Sequence, residues 1–200
     1  MSVADRFTSA DLVLMPDDGK RYEIIEGELY VSRVPRLEHQ YTCGRISRFL
    51  DDWSERSQLG VAFIAPGLVF AEVDDVIPDA IWISWERFEH GRDEVGHFVV
   101  APELVIEVLS LGKKNEDRDR QAKLKLYSRR GVQAYWIVDW MNRRVGVFRR
   151  KLKRLRLAEA LLVEDQLTSL LLPGFSCPIQ SLFLSLPRRK GQNGRSNGKR

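Results

Sequence analysis

The spacing of apolar residues predicts a long helix in the first third of the chain. Its apolar positions recur three, four and seven residues apart, on one face of a helix, at Ile46, Phe49, Leu50 and Trp53. His39 and Cys43 continue this face toward the helix start, and the helix is expected to end near Gly60. The pattern therefore predicts that both side chains face the interior.

A second helix is predicted over residues 117–130, ended by Gly131, a residue that suits a helix C-terminus. At about 100° per residue, Lys123 falls at the centre of the apolar face, whereas Lys125 points to solvent. A buried ammonium requires a carboxylate partner or a functional reason. The alternative is that Lys123 extends along the helix edge and keeps its amine in water.

Alternating and continuous apolar runs predict the strands. A hairpin is expected over residues 22–31, with Glu26 and Gly27 as its turn. Further strands are predicted over residues 61–70, 77–84, 103–109, 134–139 and 145–151. The run at 103–109 is apolar except for its two glutamates, which is typical of a central strand covered on both faces.

The order of these elements predicts an α/β fold built around one mixed sheet. Its core runs helix, strand, strand, strand, helix, strand, preceded by the N-terminal hairpin. Residues 152–183 are apolar enough to add further strands and a short closing helix. We expect a single domain over residues 1–184 and a disordered basic tail over residues 185–200.

Composition indicates a soluble protein of the cytoplasm. Hydrophobic residues make up 44% of the 200 residues, and no run approaches the roughly 18 apolar residues that a membrane span needs. The N-terminal residues do not resemble a secretion signal. Cys43 and Cys177 are isolated from each other and suit a reducing compartment.

The net charge of +4 comes from the tail, because its six basic residues leave residues 1–184 at −2. A second basic stretch lies between Asp139 and Glu159, where no acid occurs. It predicts contacts with nucleic-acid phosphates, above all from Arg143, Arg144, Arg149 and Arg150. The alternative is a charged edge hairpin that prevents aggregation between sheets.

Two acids occupy strand positions that should face the core. Asp79 shares one side of its strand with Ile81 and Ile83, and Glu107 interrupts an otherwise apolar strand. Two inward carboxylates on adjacent strands would repel each other unless a cation lay between them. Mg²⁺ suits such a pair, because it binds one or two carboxylates together with water and phosphate oxygens.

Asp79, Glu107 and Lys123 together have the composition of a site that cuts phosphodiester bonds. The ion would polarise the phosphate and lower the pKa of a bound water. The lysine would orient or deprotonate that water, or neutralise the transition state. The alternative is an ion pair between an acid and Lys123 that only ties the helix to the sheet.

Several short motifs occur in an order and spacing that are specific together, at residues 22–29, 38–40, 78–79, 102–110, 118–120, 123–127, 131–132, 135–139 and 172–175. In these motifs the chain resembles the Uma-two family of restriction-endonuclease-like proteins, within the PD-(D/E)XK superfamily. The resemblance covers about residues 8–184. It implies metal-dependent hydrolysis of DNA, with Mg²⁺ or Mn²⁺ as cofactor and a homodimer as a possible assembly.

By this resemblance, Asp79 and Glu107 are the metal ligands and Lys123 is the catalytic lysine. The superfamily usually has its lysine two positions after the glutamate, where this chain has Leu109. The resemblance implies that the lysine has moved to the following helix. The segment after Ser110 also departs from the family pattern, at 111–113.

Four further residues are accessory candidates: Glu23, Glu28, His39 and Asp119. One of the two glutamates is expected to add a carboxylate to the site. Asp119 is expected either to pair with Lys123 or to cap the site. His39 could assist a water or bind phosphate, although a lone histidine on an apolar face is more often structural. Two other functions stay open: a non-catalytic module that binds nucleic acid or protein, and a hydrolase of a smaller phosphodiester.

Overall fold

The computed structural model describes residues 6–185 of the chain. Its strands are β1 (Arg21–Ile25), β2 (Glu28–Ser32), β3 (Gly60–Ile64), β4 (Leu68–Ala71), β5 (Asp74–Val76), β6 (Ala80–Ser84), β7 (Leu104–Val108), β8 (Ala134–Asp139), β9 (Arg144–Lys151), β10 (Arg154–Leu161), β11 (Gln166–Thr168) and β12 (Ser176–Pro178). Its helical elements are α1 (Ser9–Leu12), α2 (Leu37–Ser57), α3 (Trp85–His90), α4 (Lys113–Asp117), a π-helical segment (Arg118–Lys123), α5 (Leu124–Arg130) and a 3₁₀ turn (Ile179–Leu182).

A six-stranded mixed sheet forms the centre of the fold, in the order β10-β9-β8-β7-β6-β3. Strands β7 and β8 run parallel and every residue of both is buried, as expected for apolar runs covered on both faces. The other neighbours in this sheet are antiparallel. The predicted α/β class, with its mixed sheet, N-terminal hairpin and C-terminal β additions, is confirmed.

The two faces of this sheet are covered differently. Helix α2 packs its apolar stripe against one face, where Ile46 and Leu50 meet Ile106. Helix α5 covers the other face, where Tyr127 packs with Val105. The sheet is therefore the middle of three layers, because each of its faces needs an apolar cover.

The predicted strand over residues 61–70 is wrong in its extent. The chain turns at Ala65, which has a positive φ of 49°, so that β3 and β4 belong to different sheets. Strand β4 joins β5 and the hairpin β1–β2 in a second, four-stranded sheet. The apolar run hid this break, although the Pro66-Gly67 pair within it is a turn signal.

The second predicted helix begins earlier than expected and is not a regular α-helix. Helical structure starts at Lys113 and passes through the π-helical segment before α5, which ends at Gly131 with φ +96°. A π-helical turn contains one residue more than an α-helical turn, and such turns occur frequently at functional sites. This one carries Asp119 and Lys123.

The rest of the C-terminal region follows the sequence prediction. Strands β10, β11 and β12 and the 3₁₀ turn occupy the segment predicted to pack after residue 152. The single domain over 1–184 stays a prediction, and the predicted tail lies outside the described residues from 186 onward. Among the described residues, no helix has the length and apolar character needed to cross a bilayer.

Candidate active site

The ends of β6 and β7 bring Asp79 and Glu107 next to each other. The register pairs Ala80 with Ile106, so Asp79, just before β6, lies opposite Glu107. Opposite residues of an antiparallel pair project to the same face. The backbone N–H of Val108 donates a hydrogen bond of 2.8 Å to Asp79 Oδ2, which fixes the carboxylate at the sheet.

Lys123 is fully buried, so the alternative in which its amine reaches solvent is wrong. Its Nζ lies 2.8 Å from Glu107 Oε1 and 2.7 Å from Glu23 Oε1. The hydroxyl of Tyr127 also donates to Glu107 Oε1, at 2.9 Å. Both of these donors bind the same oxygen of Glu107.

Arg118 and Asp119 complete this group. Arg118 Nε donates to Asp119 Oδ1 at 2.7 Å, and another guanidinium nitrogen of Arg118 lies 3.4 Å from Glu23 Oε2. The sequence suggested a pair between Asp119 and Lys123, but Asp119 forms its hydrogen bond with Arg118 instead. We call the set of buried charged residues at this place the buried charge cluster: Glu23, Asp79, Glu107, Arg118, Asp119 and Lys123.

Two carboxylate oxygens of the buried charge cluster lack a hydrogen-bond partner. They are Glu23 Oε2 and Asp119 Oδ2. A buried carboxylate oxygen without a donor is costly. The four acids of the cluster outnumber its two basic residues, although Arg21 and His39 add positive or hydrogen-bonding groups beside Asp79.

Asp79 also contacts a second set of side chains, which lie outside the buried charge cluster. Its Oδ1 accepts a hydrogen bond of 3.1 Å from Arg21. Its Oδ2 lies 3.3 Å from His39 Nε2, and His39 Nδ1 lies 3.5 Å from Cys43 Sγ. The prediction that His39 and Cys43 face inward is confirmed, since both are buried.

The two acids titrate in opposite directions. Burial alone would raise the pKa of Asp79, but the hydrogen bond from His39 and the charges of His39 and Arg21 hold it well below its ordinary value. Burial raises the pKa of Glu107 to about 8, against the charge of Lys123 and with the help of Asp79. Asp79 is therefore ionised at neutral pH, whereas burial favours the protonated form of Glu107.

A pocket of about 400 Å³ opens beside Asp79 and His39. Four basic side chains line it, and we call it the basic pocket: Lys20, Arg21, Arg33 and Arg118. Sequence reasoning did not select these four as binding residues. They are scattered over two loops, a strand and a helical segment, and only Arg118 belongs to a motif noted in the sequence.

Glu28 does not join the buried charge cluster. It is exposed on β2, where it accepts a hydrogen bond of 3.0 Å from the hydroxyl of Tyr30. Of the two hairpin glutamates, Glu23 is the one that points inward. Strand alternation does not explain the difference, because Glu28 lies opposite Ile25, which shares one side of β1 with Glu23. The two glutamates differ in position along the hairpin, since Glu28 is the first residue of β2 after the turn.

The four predicted arginines of the basic stretch divide between the two ends of the sheet. Arg144 lies opposite Asp139 and binds it at 3.1 Å, at the carboxyl end of β8. Arg143, just before it, lies over the ring of Phe183. Glu107 is near the carboxyl end of the parallel neighbour β7, so these two arginines lie at the same end of the sheet as the cluster.

Arg149 and Arg150 lie at the opposite end of the sheet. Arg149 is opposite Ala134 and forms an ion pair with Glu159. Arg150 donates to the carbonyl oxygens of Val132 and Ser128, both at 2.7 Å. It thereby closes the C-terminal end of α5, a structural role that the charge pattern alone did not reveal.

The residues present fit a divalent cation. Asp79 and Glu107 offer the oxygen ligands that Mg²⁺ and Mn²⁺ prefer. Two further carboxylate oxygens of the buried charge cluster accept no hydrogen bond. Among the described residues, one group of three potential ligands has its ligand atoms within 4.8 Å of one another, and it consists of His39, Cys43 and Asp79. The roles of Asp79, Glu107 and Lys123 in catalysis stay predictions.

Comparison with known proteins agrees with this fold. The model of the Uma2 family, described as "Putative restriction endonuclease", matches residues 9–180. A crystal structure of a "putative nuclease belonging to DUF820" from Anabaena variabilis superimposes with a TM-score of 0.71 at 19% identity, covering 88% of this chain and 97% of that chain. No curated protein matches. Because the family model spans most of the chain, this protein belongs to the Uma2 family.

Proposed function

We propose that the protein is an endonuclease that uses Mg²⁺ or Mn²⁺ to hydrolyse phosphodiester bonds in DNA. The observation that carries the proposal is the fully buried Lys123, which bonds to Glu107. Glu107 lies directly opposite Asp79, and Asp79 lines the basic pocket. Pairs of acids whose pKa values are pushed apart are typical of sites that handle protons. Family membership supports the same reaction class.

Asp79 and Glu107 would hold the metal. Arg21 occupies Oδ1 of Asp79, whereas Lys123 and Tyr127 both occupy Oε1 of Glu107. Oε2 of Glu107 would therefore be the oxygen left to bind the ion. When bound, the ion supplies a Lewis acid that polarises a phosphoryl oxygen and lowers the pKa of a coordinated water.

Lys123 would orient Glu107 and supply a fixed positive charge behind it. A preorganised charge in a buried site stabilises developing negative charge without having to reorganise during the reaction. The basic pocket would hold the phosphate backbone, with Lys20 and Arg33 exposed at its entrance. The lining of this pocket by four cations favours a polyanionic substrate over a small neutral one.

The buried charge cluster also favours catalysis over a purely binding role. A surface that only binds nucleic acid needs exposed cations and gains nothing from four acids in the interior. Buried ion pairs contribute little net stability compared with apolar packing. We therefore infer that the cluster serves chemistry, and that Glu23 and Asp119 support the groups that carry it.

A plasmid-nicking assay tests the proposal. With Mg²⁺ or Mn²⁺, the wild-type protein should convert supercoiled plasmid to nicked and linear forms, and chelation should stop the conversion. Asp79→Asn and Glu107→Gln should each lower the rate by at least about 10²-fold, a loss typical of removing one electrostatic contact to the reacting group. Cys177→Ser is the matched control, because Cys177 is buried in the core away from the cluster.

Two outcomes would replace the proposal. Retarded plasmid that stays intact with both metals would identify a binding module. Hydrolysis of a small phosphodiester, such as bis(p-nitrophenyl) phosphate, with intact plasmid would identify a small-substrate hydrolase. Sedimentation velocity with and without duplex DNA tests the predicted homodimer separately.

A further inference from the structure

His39, Cys43 and Asp79 form a cluster that the proposed nuclease reaction does not use fully. One ligand atom from each lies within 4.8 Å of the other two, and all three residues are buried. His39 and Asp79 line the basic pocket, whereas Cys43 lies behind His39. A buried cysteine usually acts as a small apolar residue, but this thiol contacts an imidazole that itself contacts a carboxylate.

The backbone holds these three side chains in place. His39 and Cys43 are four residues apart on the 21-residue helix α2 and so lie on the same face of it. Asp79 lies just before β6, where its carboxylate accepts a hydrogen bond from the backbone N–H of Val108 in β7. Ligands carried by long, packed elements are better positioned for a metal than ligands on loops.

The ligand atoms of His39, Cys43 and Asp79 are nitrogen, sulfur and oxygen, whereas Asp79 and Glu107 offer oxygen alone. Mg²⁺ prefers oxygen ligands only, whereas thiolate and imidazole together select Zn²⁺ and similar transition metals. In a tetrahedral zinc site with bonds of 2.0–2.3 Å, the ligand atoms are roughly 3.3–3.8 Å apart. The three ligand atoms lie within 4.8 Å of one another, which is somewhat wider than that spacing. Cys43 Sγ contacts His39 Nδ1 at 3.5 Å and Asp79 Oδ2 contacts His39 Nε2 at 3.3 Å, so the imidazole must rotate for one of its nitrogens to share an ion with the other two ligands.

We propose that His39, Cys43 and Asp79 form a site for a thiolate-binding transition metal such as Zn²⁺, with an open coordination position facing the basic pocket. On binding, Cys43 loses its thiol proton to solvent and the thiolate becomes a ligand. Three protein ligands and one open position are typical of accessible zinc sites. The site uses Asp79, so Zn²⁺ and Mg²⁺ would compete for this carboxylate if the proposed nuclease function holds; the zinc site itself does not depend on that function.

Titration with Co²⁺ tests the site by a signal that only a sulfur ligand produces. Reduced full-length protein should bind one equivalent of Co²⁺ with an intense near-ultraviolet charge-transfer absorption from thiolate to cobalt. Zn²⁺ should displace the Co²⁺ and abolish the absorption. The band should vanish in Cys43→Ser and persist in Cys177→Ser, which removes the only other cysteine of the chain.

The histidine and aspartate are tested by affinity. His39→Gln and Asp79→Asn keep the thiol, so each should retain a weaker band and bind Co²⁺ at least about tenfold less tightly. Circular dichroism establishes that each variant is folded. Absence of a thiolate band from folded wild-type protein saturated with Co²⁺ would overturn the proposal, as would a band that survives in Cys43→Ser. Neither result depends on whether the protein cleaves DNA.

Discussion

Lys123 is the residue that balances the buried charge cluster, because its ammonium contacts two buried glutamates at once. Lys123→Met keeps the length of the side chain but leaves both carboxylates without their cation. Removing one partner of a buried ion pair costs about 3–5 kcal/mol. We expect a loss of this size in the free energy of unfolding, measured by urea denaturation, together with loss of plasmid cleavage.

Lys125→Met is the matched control for this substitution. Lys125 is two positions away on the same helix, but its side chain is 68% exposed and pairs with Glu26 at the surface. Exposed pairs contribute about 0–1 kcal/mol. Equal stability losses in the two variants would show that burial of Lys123 has no special energetic role.

Protonation of Glu107 should couple metal binding to pH. Burial raises the pKa of Glu107 to about 8, while a metal binds only the carboxylate. Below about pH 8, binding must therefore release a proton, and affinity for Mn²⁺ should fall by up to about tenfold per pH unit. Above about pH 8, Glu107 is already ionised, so proton release should disappear and the affinity should level off.

Calorimetry with Mn²⁺ in buffers of different ionisation enthalpy measures this proton release directly. Glu107→Gln cannot release a proton from this position and should lose the dependence. Proton release that is unchanged in Glu107→Gln would assign the titration to another group. Asp79 cannot be the source of this proton, because its pKa is lowered and its carboxyl group is already ionised at neutral pH.

Sequence reasoning located the inward residues better than the pocket around them. Helical periodicity alone placed Lys123 and Asp119 inward, because a charge in the middle of an apolar stripe is visible in any sequence. The partners of Lys123 were only partly predictable: the sequence groups Lys123 with Asp79 and Glu107 without choosing between these acids, and Glu23 is one of two hairpin candidates for the site. Arg21 could not be found, since its role depends on the distance between two separate strands.

At the level of elements, the π-helical segment determines which side chains reach the cluster. Deleting exposed Gln121 should convert this segment to regular α-helix and rotate everything after it by about 100° relative to Arg118. Either the pair of Arg118 with Asp119 or the bond from Lys123 to Glu107 must then break. We expect a loss of about 3 kcal/mol or more in the free energy of unfolding, measured by urea denaturation.

Gln121→Ala separates the effect of helix register from that of the side chain. The side chain of Gln121 makes one surface hydrogen bond, to Asp117, and exposed substitutions of this kind usually change stability by about 0.5 kcal/mol or less. A deletion variant as stable as Gln121→Ala would mean that the helix absorbs the lost residue without moving Lys123.

The same element level shows where sequence patterns fail. Helix α2 was predictable because its apolar spacing extends over several turns. The division of residues 61–70 between β3 and β4 was not predicted, because both pieces are apolar and the run has no polar gap. The second sheet also escaped prediction, since Asp74–Val76 is a strand only by virtue of its pairing with β1 and β4.

For the whole molecule, the distribution of charge decides which surface meets nucleic acid. The basic stretch identified in the sequence runs along β9 and β10, so its arginines spread from the site end of the sheet to the far end. Linear charge density cannot distinguish these ends. The basic pocket, by contrast, gathers cations from distant parts of the chain beside Asp79, and we expect it to make the phosphate contacts.

Salt dependence of DNA binding tests this assignment. Each phosphate contact contributes about 0.9 to the slope of log K against log salt concentration on duplex DNA. The double variant Lys20→Met with Arg33→Met should therefore lower that slope by about 2, measured by fluorescence anisotropy over a range of salt. Arg149→Met with Arg154→Met removes the same net charge at the far end of the sheet and should leave the slope nearly unchanged. Both double variants lose the same net charge, so a difference in slope reports direct phosphate contacts, which release counterions. If the far-end pair lowers the slope as much as the pocket pair, strands β9 and β10 form the interface instead.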